Sequence, residues 1–303
     1  MDFTKAHGTG NDFVVLADLD DDLDLGADLV RALCDRRFGI GGDGILRLGR
    51  PTGGADVFMD YRNADGTIVE MCGNGVRVVA KHVVDHGLVT PRGDTVVVGT
   101  RAGDKPVTVH RGPDGLVAAV TVDMGPPILD PTDVPFLAED PGAVSEPFPI
   151  GDTTLEVSAV SMGNPHAVTV VDDVTTAPVR SLGPAVEVDG RFPKHTNVEF
   201  AEVVSDHEVR LRVWERGVGE TAACGTGACA TVVALQRRGL VGTAVDVHLP
   251  GGVLAVRYDP QTHPSVHMTG PAVEVGSGTL DGTWLAAARA GRVPPTADRE
   301  ASP

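Results

Sequence analysis

Two short segments of the chain share one pattern although half the chain separates them. The first is EMCGNGVR, residues 70–77, and the second is ETAACGTGACA, residues 220–230; in each, a cysteine precedes Gly-x-Gly and an apolar run. The cysteines, Cys72 and Cys224, are 152 positions apart. Nearly the same offset relates two pairs of polar residues, Asn11 with Asn164 and Asn63 with Glu215. A chain of 303 residues is long enough for two cores, so the repeat predicts a duplicated unit that brings one thiol from each half to a shared site.

The composition excludes several classes of partner. A formal net charge of -17 makes the chain repel polyanions such as nucleic acids and anionic membranes. No apolar run reaches the roughly 18 residues of a membrane-spanning helix, and the N-terminus lacks the basic stretch and apolar segment of a signal peptide. We therefore predict a soluble cytoplasmic protein without a nucleic-acid or membrane partner.

The apolar patterns predict an α+β fold. Two helices, 74–86 and 226–238, each precede a glycine that can end them and lie among short runs typical of strands. Both helices are apolar around most of their circumference, so each must be enclosed. We predict two pseudo-symmetric domains, each a curved, mainly antiparallel sheet wrapped around a central helix. Their predicted bounds are 1–119 with about 271–290, and 120–270, followed by a disordered tail at 291–303.

The chain has four cysteines, which are too few and too scattered for a disulfide framework or a zinc ribbon. Cys34 and Cys229 lie in apolar helical stretches and are predicted to pack in the core. Cys72 and Cys224 each precede a helix, where unpaired backbone N–H groups and the helix dipole favour a thiolate. The adjacent glycines allow a carboxylate to approach the backbone closely.

Two such thiols on opposite faces of a bound amino acid can invert its stereocentre. One removes the α-proton and the other supplies a proton to the opposite face, while the helix ends stabilise the developing charge. Pyridoxal phosphate, dinucleotide and metal-ligand motifs are absent from the sequence, so we predict no cofactor and no metal. A buried N-cap cysteine beside turn glycines would look similar in either copy alone.

Other polar residues fit a substrate with two amino-acid ends. Arg216 can grip a second carboxylate, Glu215 can meet an ammonium group, and His166 can orient or tune a thiol. Five asparagines lie beside glycine, proline or strand ends: Asn11, Asn63, Asn74, Asn164 and Asn197. Each asparagine taken singly also suits an ordinary turn, and His166 also suits an ordinary strand end.

At these residues the sequence resembles the diaminopimelate epimerase family. The motifs follow the family's order: HGTGNDF (7–13), GIGGDG (39–44), NADG (63–66), EMCGNGVR, SMGNPH (161–166), ERGVGETAACGTGACA (215–230), LPGG (249–252) and MTGPA (268–272). The resemblance runs from about residue 1 to residue 280. Many members end the second motif with Gln, where this chain has Gly44, so a side-chain contact is absent there.

The resemblance implies epimerisation of LL-2,6-diaminopimelate to the meso form, in lysine and peptidoglycan-precursor biosynthesis, without cofactor or metal. It assigns proton transfer to Cys72 and Cys224, with His166 and Glu215 as auxiliary catalytic residues. The substrate contacts that it implies are Asn11, Asn63, Gly73, Asn74, Asn164, Asn197, Glu215, Arg216, Gly225 and Thr226. A homodimer is compatible with the resemblance, although the sequence by itself does not fix the oligomeric state.

Three alternatives remain open from the residues. A proline-racemase-type enzyme has a similar paired-cysteine design, but a proline-sized ligand would leave Glu215 and Arg216 unmatched. A thiol–disulfide redox protein would need Cβ atoms of Cys72 and Cys224 about 3.8 Å apart, closer than an intervening substrate carbon allows. A non-enzymatic amino-acid-binding module would explain the asparagines but would not require two activated thiols.

Overall fold

The computed structural model describes residues 1–293, and the chain divides into two compact units. The first comprises Met1–Val122 and the chain from Pro271 onward, and the second comprises Asp123–Gly270. The sequence-based domain bounds, 1–119 with about 271–290 and 120–270, stay a prediction. Most of the predicted disordered tail, residues 294–303, lies outside the described residues.

The first unit is built from strands around one long helix. In chain order its elements are β1 (Asp2–Gly8), β2 (Asn11–Ala17), α1 (Ala27–Cys34), β3 (Gly44–Gly49), β4 (Val57–Asn63), β5 (Ile68–Val69), α2 (Gly73–Asp85), β6 (Thr95–Thr100), β7 (Gly103–Arg111) and β8 (Val117–Asp123).

The second unit has a similar series of elements, and the chain then returns to the first. The elements are β9 (Glu146–Ile150), β10 (Thr153–Ser161), β11 (Pro165–Val170), α3 (Val179–Glu187), β12 (Asn197–Ser205), β13 (Glu208–Glu215), β14 (Gly219–Thr221), α4 (Gly225–Arg237), β15 (Ala244–Leu249), β16 (Gly252–Asp259), β17 (His263–Pro271), β18 (Val273–Thr279) and α5 (Gly282–Arg289). Strand β18 pairs antiparallel with β1.

Strand pairing repeats between the two units, pair by pair. In the first unit β1–β2, β3–β4, β4–β5, β6–β7 and β7–β8 are antiparallel, and β2–β3 and β4–β6 are parallel. In the second, β10–β11, β12–β13, β13–β14, β15–β16 and β16–β17 are antiparallel, and β11–β12 and β13–β15 are parallel. The duplication inferred from the cysteine motifs therefore extends to the whole arrangement of strands.

Each long helix is enclosed by its own sheet, as its apolar circumference predicts. Helix α2 contacts β1, β2, β3, β4, β6, β7 and β18, and α4 contacts β10, β11, β12 and β16. Val76, Val79, Val232 and Val233 are 0% exposed. Complete burial of a valine side chain contributes at least about 1.5 kcal/mol relative to exposure. The predicted α+β fold with a central helix in each mainly antiparallel sheet is confirmed.

The two cysteines predicted to pack in the core are buried. Cys34 ends α1 and belongs to an apolar cluster with Leu29, Val30 and Leu33, and burial raises the pKa of its thiol to about 12. Cys229 is 0% exposed inside α4. Within residues 1–293, no helix has both the length and the apolar character needed to cross a membrane.

Gly44 begins β3 at a point where the neighbouring strand comes very close. A Cβ atom added to this residue would lie 2.4 Å from the Arg62 carbonyl oxygen and 2.6 Å from Tyr61 Cε2. Both neighbours belong to β4, whose pairing with β3 fixes the separation. The sequence resemblance implies glutamine at this position in many relatives, and a glutamine side chain would not fit this backbone.

We expect Gly44→Ala to destabilise the protein by about 1–3 kcal/mol, because overpacking forces the backbone of β4 to shift. Thermal or urea unfolding measures the effect. Gly282→Ala is the matched control, since nothing lies within 4 Å of a Cβ atom added at the start of α5. An unchanged midpoint for Gly44→Ala would show that β3 and β4 separate easily.

Candidate active site

Cys72 is the N-cap residue of α2 and lies half-buried in the first unit. Its backbone is extended, with φ -146° and ψ 119°, and its carbonyl accepts the first helical hydrogen bond from the Val76 N–H at 2.9 Å. The thiol Sγ lies 3.8 Å from Asn11 Oδ1. The helix start therefore fixes the thiol next to Asn11, the first residue of β2.

A chain of side-chain hydrogen bonds fixes Asn11 in turn. Its Oδ1 accepts from Asn74 Nδ2 at 3.2 Å, and its Nδ2 donates to Asp43 Oδ2 at 2.8 Å. Asn74 Oδ1 accepts from the fully buried guanidinium of Arg77 at 2.9 Å. Sequence reasoning gave no role to Asp43 or Arg77, although both lie inside the motifs GIGGDG and EMCGNGVR.

Two further predicted residues of the first unit have local contacts. Gly73 is the first residue of α2, and its carbonyl accepts from Arg77 Nη1 at 3.4 Å. Asn63 ends β4, and its side chain donates to Thr67 Oγ1 at 3.1 Å while its N–H donates to the Thr67 carbonyl at 2.9 Å. These contacts of Asn63 are those of a turn residue, so its role in substrate binding stays a prediction.

Cys224 occupies the equivalent N-cap position of α4 in the second unit. Gly225 is the first helical residue. The Cys224 Sγ accepts a hydrogen bond from the Gly227 N–H at 3.4 Å and lies 3.4 Å from the Thr226 hydroxyl. The thiol is buried, with 6% of the residue exposed.

Burial raises the pKa of the Cys224 thiol well above its ordinary value, and the negative charges of Glu215 and Glu199 raise it further. Hydrogen bonds from Thr226 and the Gly227 N–H act in the opposite direction and do not outweigh these effects. The expectation of a thiol pKa lowered towards neutrality is therefore wrong for Cys224 in this structure. A helix terminus stabilises a nearby charge by at most about 2 kcal/mol, whereas complete burial can oppose ionisation by roughly 4–7 kcal/mol.

His166 and Asn164 lie together beside a buried carboxylate. His166 Nδ1 is 2.7 Å from Glu199 Oε1, and Nε2 is 3.1 Å from Asn164 Oδ1. Both His166 and Glu199 are 0% exposed. Burial raises the pKa of Glu199, although the charge of His166 and its hydrogen bond oppose that shift. Sequence reasoning missed Glu199, which falls in an apolar strand and matches no motif considered above.

The remaining predicted residues surround the end of β13. Asn197 donates to the Pro165 carbonyl at 2.9 Å and accepts from the Arg216 N–H at 3.0 Å. It therefore links the backbone just after β13 to the start of β11. The exposed Arg216 side chain donates to the Lys194 carbonyl at 2.9 Å. Glu215 accepts a hydrogen bond from the Thr221 hydroxyl. The second unit therefore places the Glu215 carboxylate where its charge acts on the Cys224 thiol. The neighbouring Arg216 guanidinium lies at the surface.

The fold is one seen in amino-acid epimerases. A solved hydroxyproline epimerase from Agrobacterium vitis is similar over 94% of this chain and 93% of its own, with a TM-score of 0.66 and 17% sequence identity. At this identity the likeness shows the fold alone.

The particular family follows from the sequence comparison. The model of the diaminopimelate epimerase family matches residues 3–129 and 158–275, which include all the predicted site residues. A diaminopimelate epimerase from Thioalkalivibrio sulfidiphilus is 50% identical over 283 residues, covering 93% of this chain and 99% of the relative. One from Heliobacterium modesticaldum is 44% identical, covering 92% and 99%. The chain belongs to the diaminopimelate epimerase family, and the membership indicated by its motifs is confirmed.

We expect Glu215→Gln to lower the pKa of the Cys224 thiol, because it removes a negative charge that opposes the thiolate. Alkylation of Cys224 by iodoacetamide at pH 8 should then be on the order of a few-fold faster, since the thiolate is the reacting form. Peptide mass spectrometry measures the rate at this cysteine. Glu156→Gln serves as the control, because Glu156 accepts from Ser145 and does not affect Cys224; equal rates in all three proteins would contradict the electrostatic account.

Proposed function

We propose that this protein interconverts LL- and meso-2,6-diaminopimelate without a cofactor. Family membership and the names of relatives at 44–50% identity support this substrate. The observation that carries the proposal is that two duplicated units each place a cysteine at the start of their enclosed helix. A binding module would need neither thiol.

The proposed reaction uses one thiol as base and the other as acid. The Cys224 thiolate takes the α-proton from one face of the α-carbon, and the Cys72 thiol delivers its proton to the opposite face. The substrate changes configuration, Cys224 ends as the thiol and Cys72 as the thiolate, and the reverse reaction exchanges the two roles. This assignment requires both sulfurs to reach the same α-carbon.

The electrostatic environment of Cys224 suits removal of a weakly acidic proton. Its raised pKa makes the thiolate, once formed, a stronger base. We assign Glu215 to bind the substrate ammonium group, whose positive charge would offset the negative charge that opposes the thiolate. His166 is assigned an auxiliary role beside Asn164.

Recognition of the two substrate ends is divided among the remaining residues. The reacting carboxylate is proposed to meet the N–H groups at the starts of α2 and α4, including those of Gly73, Asn74, Gly225 and Thr226. The exposed Arg216 guanidinium would bind the distant carboxylate with two parallel hydrogen bonds. Substrate contacts are also proposed for the side chains of Asn11, Asn63, Asn164 and Asn197.

A proline-racemase-type activity has less support. The likeness to the hydroxyproline epimerase extends to the fold alone at 17% identity, and a proline-sized substrate has no second carboxylate for Arg216. We place the diaminopimelate activity in the cytoplasm. Gel filtration with light scattering distinguishes a monomer from the homodimer compatible with the family resemblance.

We expect the protein to incorporate deuterium at the inverted α-carbon of LL-diaminopimelate in D2O, and Cys72→Ser and Cys224→Ser each to abolish epimerisation. Serine has nearly the same shape as cysteine, but its hydroxyl is far too weakly acidic to replace the thiol. Chiral chromatography with mass spectrometry follows configuration and label together.

Cys34→Ala provides the control for removal of a cysteine outside the proposed site. It should retain activity if it folds, because Cys34 only packs in the core of the first unit. Near-normal turnover by either serine variant would contradict the two-thiol mechanism, and an inactive wild-type protein would contradict the proposed substrate.

A further inference from the structure

The second unit buries a polar pair where the first unit has two apolar residues. His166 and Glu199 occupy the places that Phe13 and Leu46 occupy in the first unit, and all four residues are 0% exposed. Register establishes the equivalence. In the parallel pair β2–β3, Phe13 is opposite Gly44, and two residues further on Val15 is opposite Leu46. In the parallel pair β11–β12, His166 is opposite Asn197, and two residues further on Val168 is opposite Glu199.

Helix packing shows the same equivalence. A Cβ atom on Gly75 of α2 would lie 3.1 Å from the side chain of Leu46, and one on Gly227 of α4 would lie 2.7 Å from Glu199 Oε1. Glu199 therefore lies against the first turn of the helix that carries Cys224, just as Leu46 lies against the helix that carries Cys72.

This arrangement of strands and helix does not itself require a buried carboxylate. Burying a charged or polar pair is costly, and apolar residues of similar volume often replace such pairs without loss of stability. The first unit demonstrates the apolar solution with Phe13 and Leu46. In the second, Glu199 Oε2 is buried and has no hydrogen-bond partner among residues 1–293, so the pair persists despite an unsatisfied oxygen.

We propose that Glu199 is a positioning residue that holds the His166 imidazole for the epimerisation, an inference that rests on the proposed function. On this assignment the Glu199 carboxylate accepts the Nδ1–H of His166 across 2.7 Å, and Nε2 lies 3.1 Å from Asn164 Oδ1. A buried carboxylate bound to one ring nitrogen fixes both the tautomer and the ring orientation of a histidine. Gly227 has no side chain, so Glu199 can reach this position.

Glu199→Gln is the principal test, because it keeps the shape of the side chain and removes the charge. We expect kcat to fall by about 10- to 100-fold, the usual effect of removing a supporting carboxylate, with KM nearly unchanged because Glu199 is 0% exposed and contacts His166. The ¹⁵N chemical shifts of the His166 ring should also change. Glu202→Gln on the same strand is the control, since Glu202 contacts Val174 and Arg210 instead.

A second variant separates positioning from folding. The double change His166→Phe and Glu199→Leu recreates the apolar pair of the first unit and should fold with an equal or higher Tm while losing activity. If Glu199→Gln fails to fold, Glu199→Asp replaces it. The shorter side chain withdraws the carboxylate from His166 Nδ1, so we expect the same fall in kcat.

Wild-type kcat and unchanged His166 shifts in a folded Glu199→Gln or Glu199→Asp protein would overturn the inference. An inactive wild-type protein would instead refute the proposed function, and the ring shifts would still report whether Glu199 sets the state of His166.

A different observation in the first unit, independent of the activity, concerns a cluster of two histidines and one glutamate. His82 Nδ1 is 2.7 Å from Glu274 Oε1, and His86 Nε2 is 2.9 Å from Glu274 Oε2. The three ligand atoms lie within 4.8 Å of one another. No sequence motif joins these residues, because Glu274 is 188 positions beyond His86.

The cluster has the ligands and the rigidity of a transition-metal site. His82 and His86 are four residues apart, on one face at the end of α2, and Glu274 belongs to β18, which pairs with β1. Two imidazoles and a carboxylate suit zinc-like ions. The His86 side chain is 46% exposed, so an ion and a water ligand have access from solvent.

We infer that His82, His86 and Glu274 bind one divalent ion of the zinc class. In a tetrahedral site with bonds of about 2.0–2.1 Å, ligand atoms lie roughly 3.3 Å apart. His82 Nδ1 and His86 Nε2 lie 2.7 and 2.9 Å from different oxygens of Glu274. If the carboxylate binds the ion through both oxygens, each separation would need to open by about half an ångström. The ion would join the end of α2 to β18, the strand by which the chain returns to the first unit.

Zinc titration of tag-free, EDTA-dialysed protein tests this site, with exposed thiols first blocked by iodoacetamide. We expect one Zn²⁺ per chain by competition with a chromophoric chelator, and at least about tenfold weaker binding in His86→Ala, which loses one of three ligands. His110→Ala is the control, because His110 contacts Thr121 instead. Absence of binding, or equal binding in wild type and His86→Ala, would overturn the assignment.

Discussion

The rest of each unit depends on the burial of the start of its central helix. Backbone N–H groups in a first helical turn have no partner within the helix, so an enclosed helix must find other acceptors. In α4, the Cys224 sulfur accepts from the Gly227 N–H. The same burial favours glycine at Gly75 and Gly227, because the side chains of Leu46 and Glu199 lie 3.1 and 2.7 Å from an added Cβ atom. The Cys-Gly-x-Gly pattern thus follows from packing as well as chemistry.

Duplication gave both units one arrangement of strands, and a few buried residues make the surroundings of the two thiols different. The first unit fixes its thiol's neighbour, Asn11, through Asn74 and the buried guanidinium of Arg77. The second places the His166–Glu199 pair against its helix start. The same arrangement of strands therefore supports two different electrostatic environments, which suits the proposed reaction, in which one thiol donates a proton and the other accepts one.

Desolvation dominates the electrostatics of Cys224. A position at the start of a helix favours the thiolate, but complete burial and two nearby carboxylates outweigh that effect and raise the pKa. The sign of this shift depends on how deeply Glu215, Glu199 and the surrounding sheet enclose the sulfur. A local motif contains no information about that enclosure, so reasoning from the helix terminus alone gave the wrong direction.

The sequence by itself determined the duplication, the two enclosed helices with a cysteine before each, and the family, because these features appear as local periodicity and motifs. Short-range patterns also identified Cys34 and Cys229 as core residues. Only the tertiary structure showed Glu199 beside His166, the exclusion of a side chain at Gly44, and the cluster of His82, His86 and Glu274. Each of these depends on which residues of distant strands and helices become neighbours, and strand register and burial decide that rather than any property of one segment.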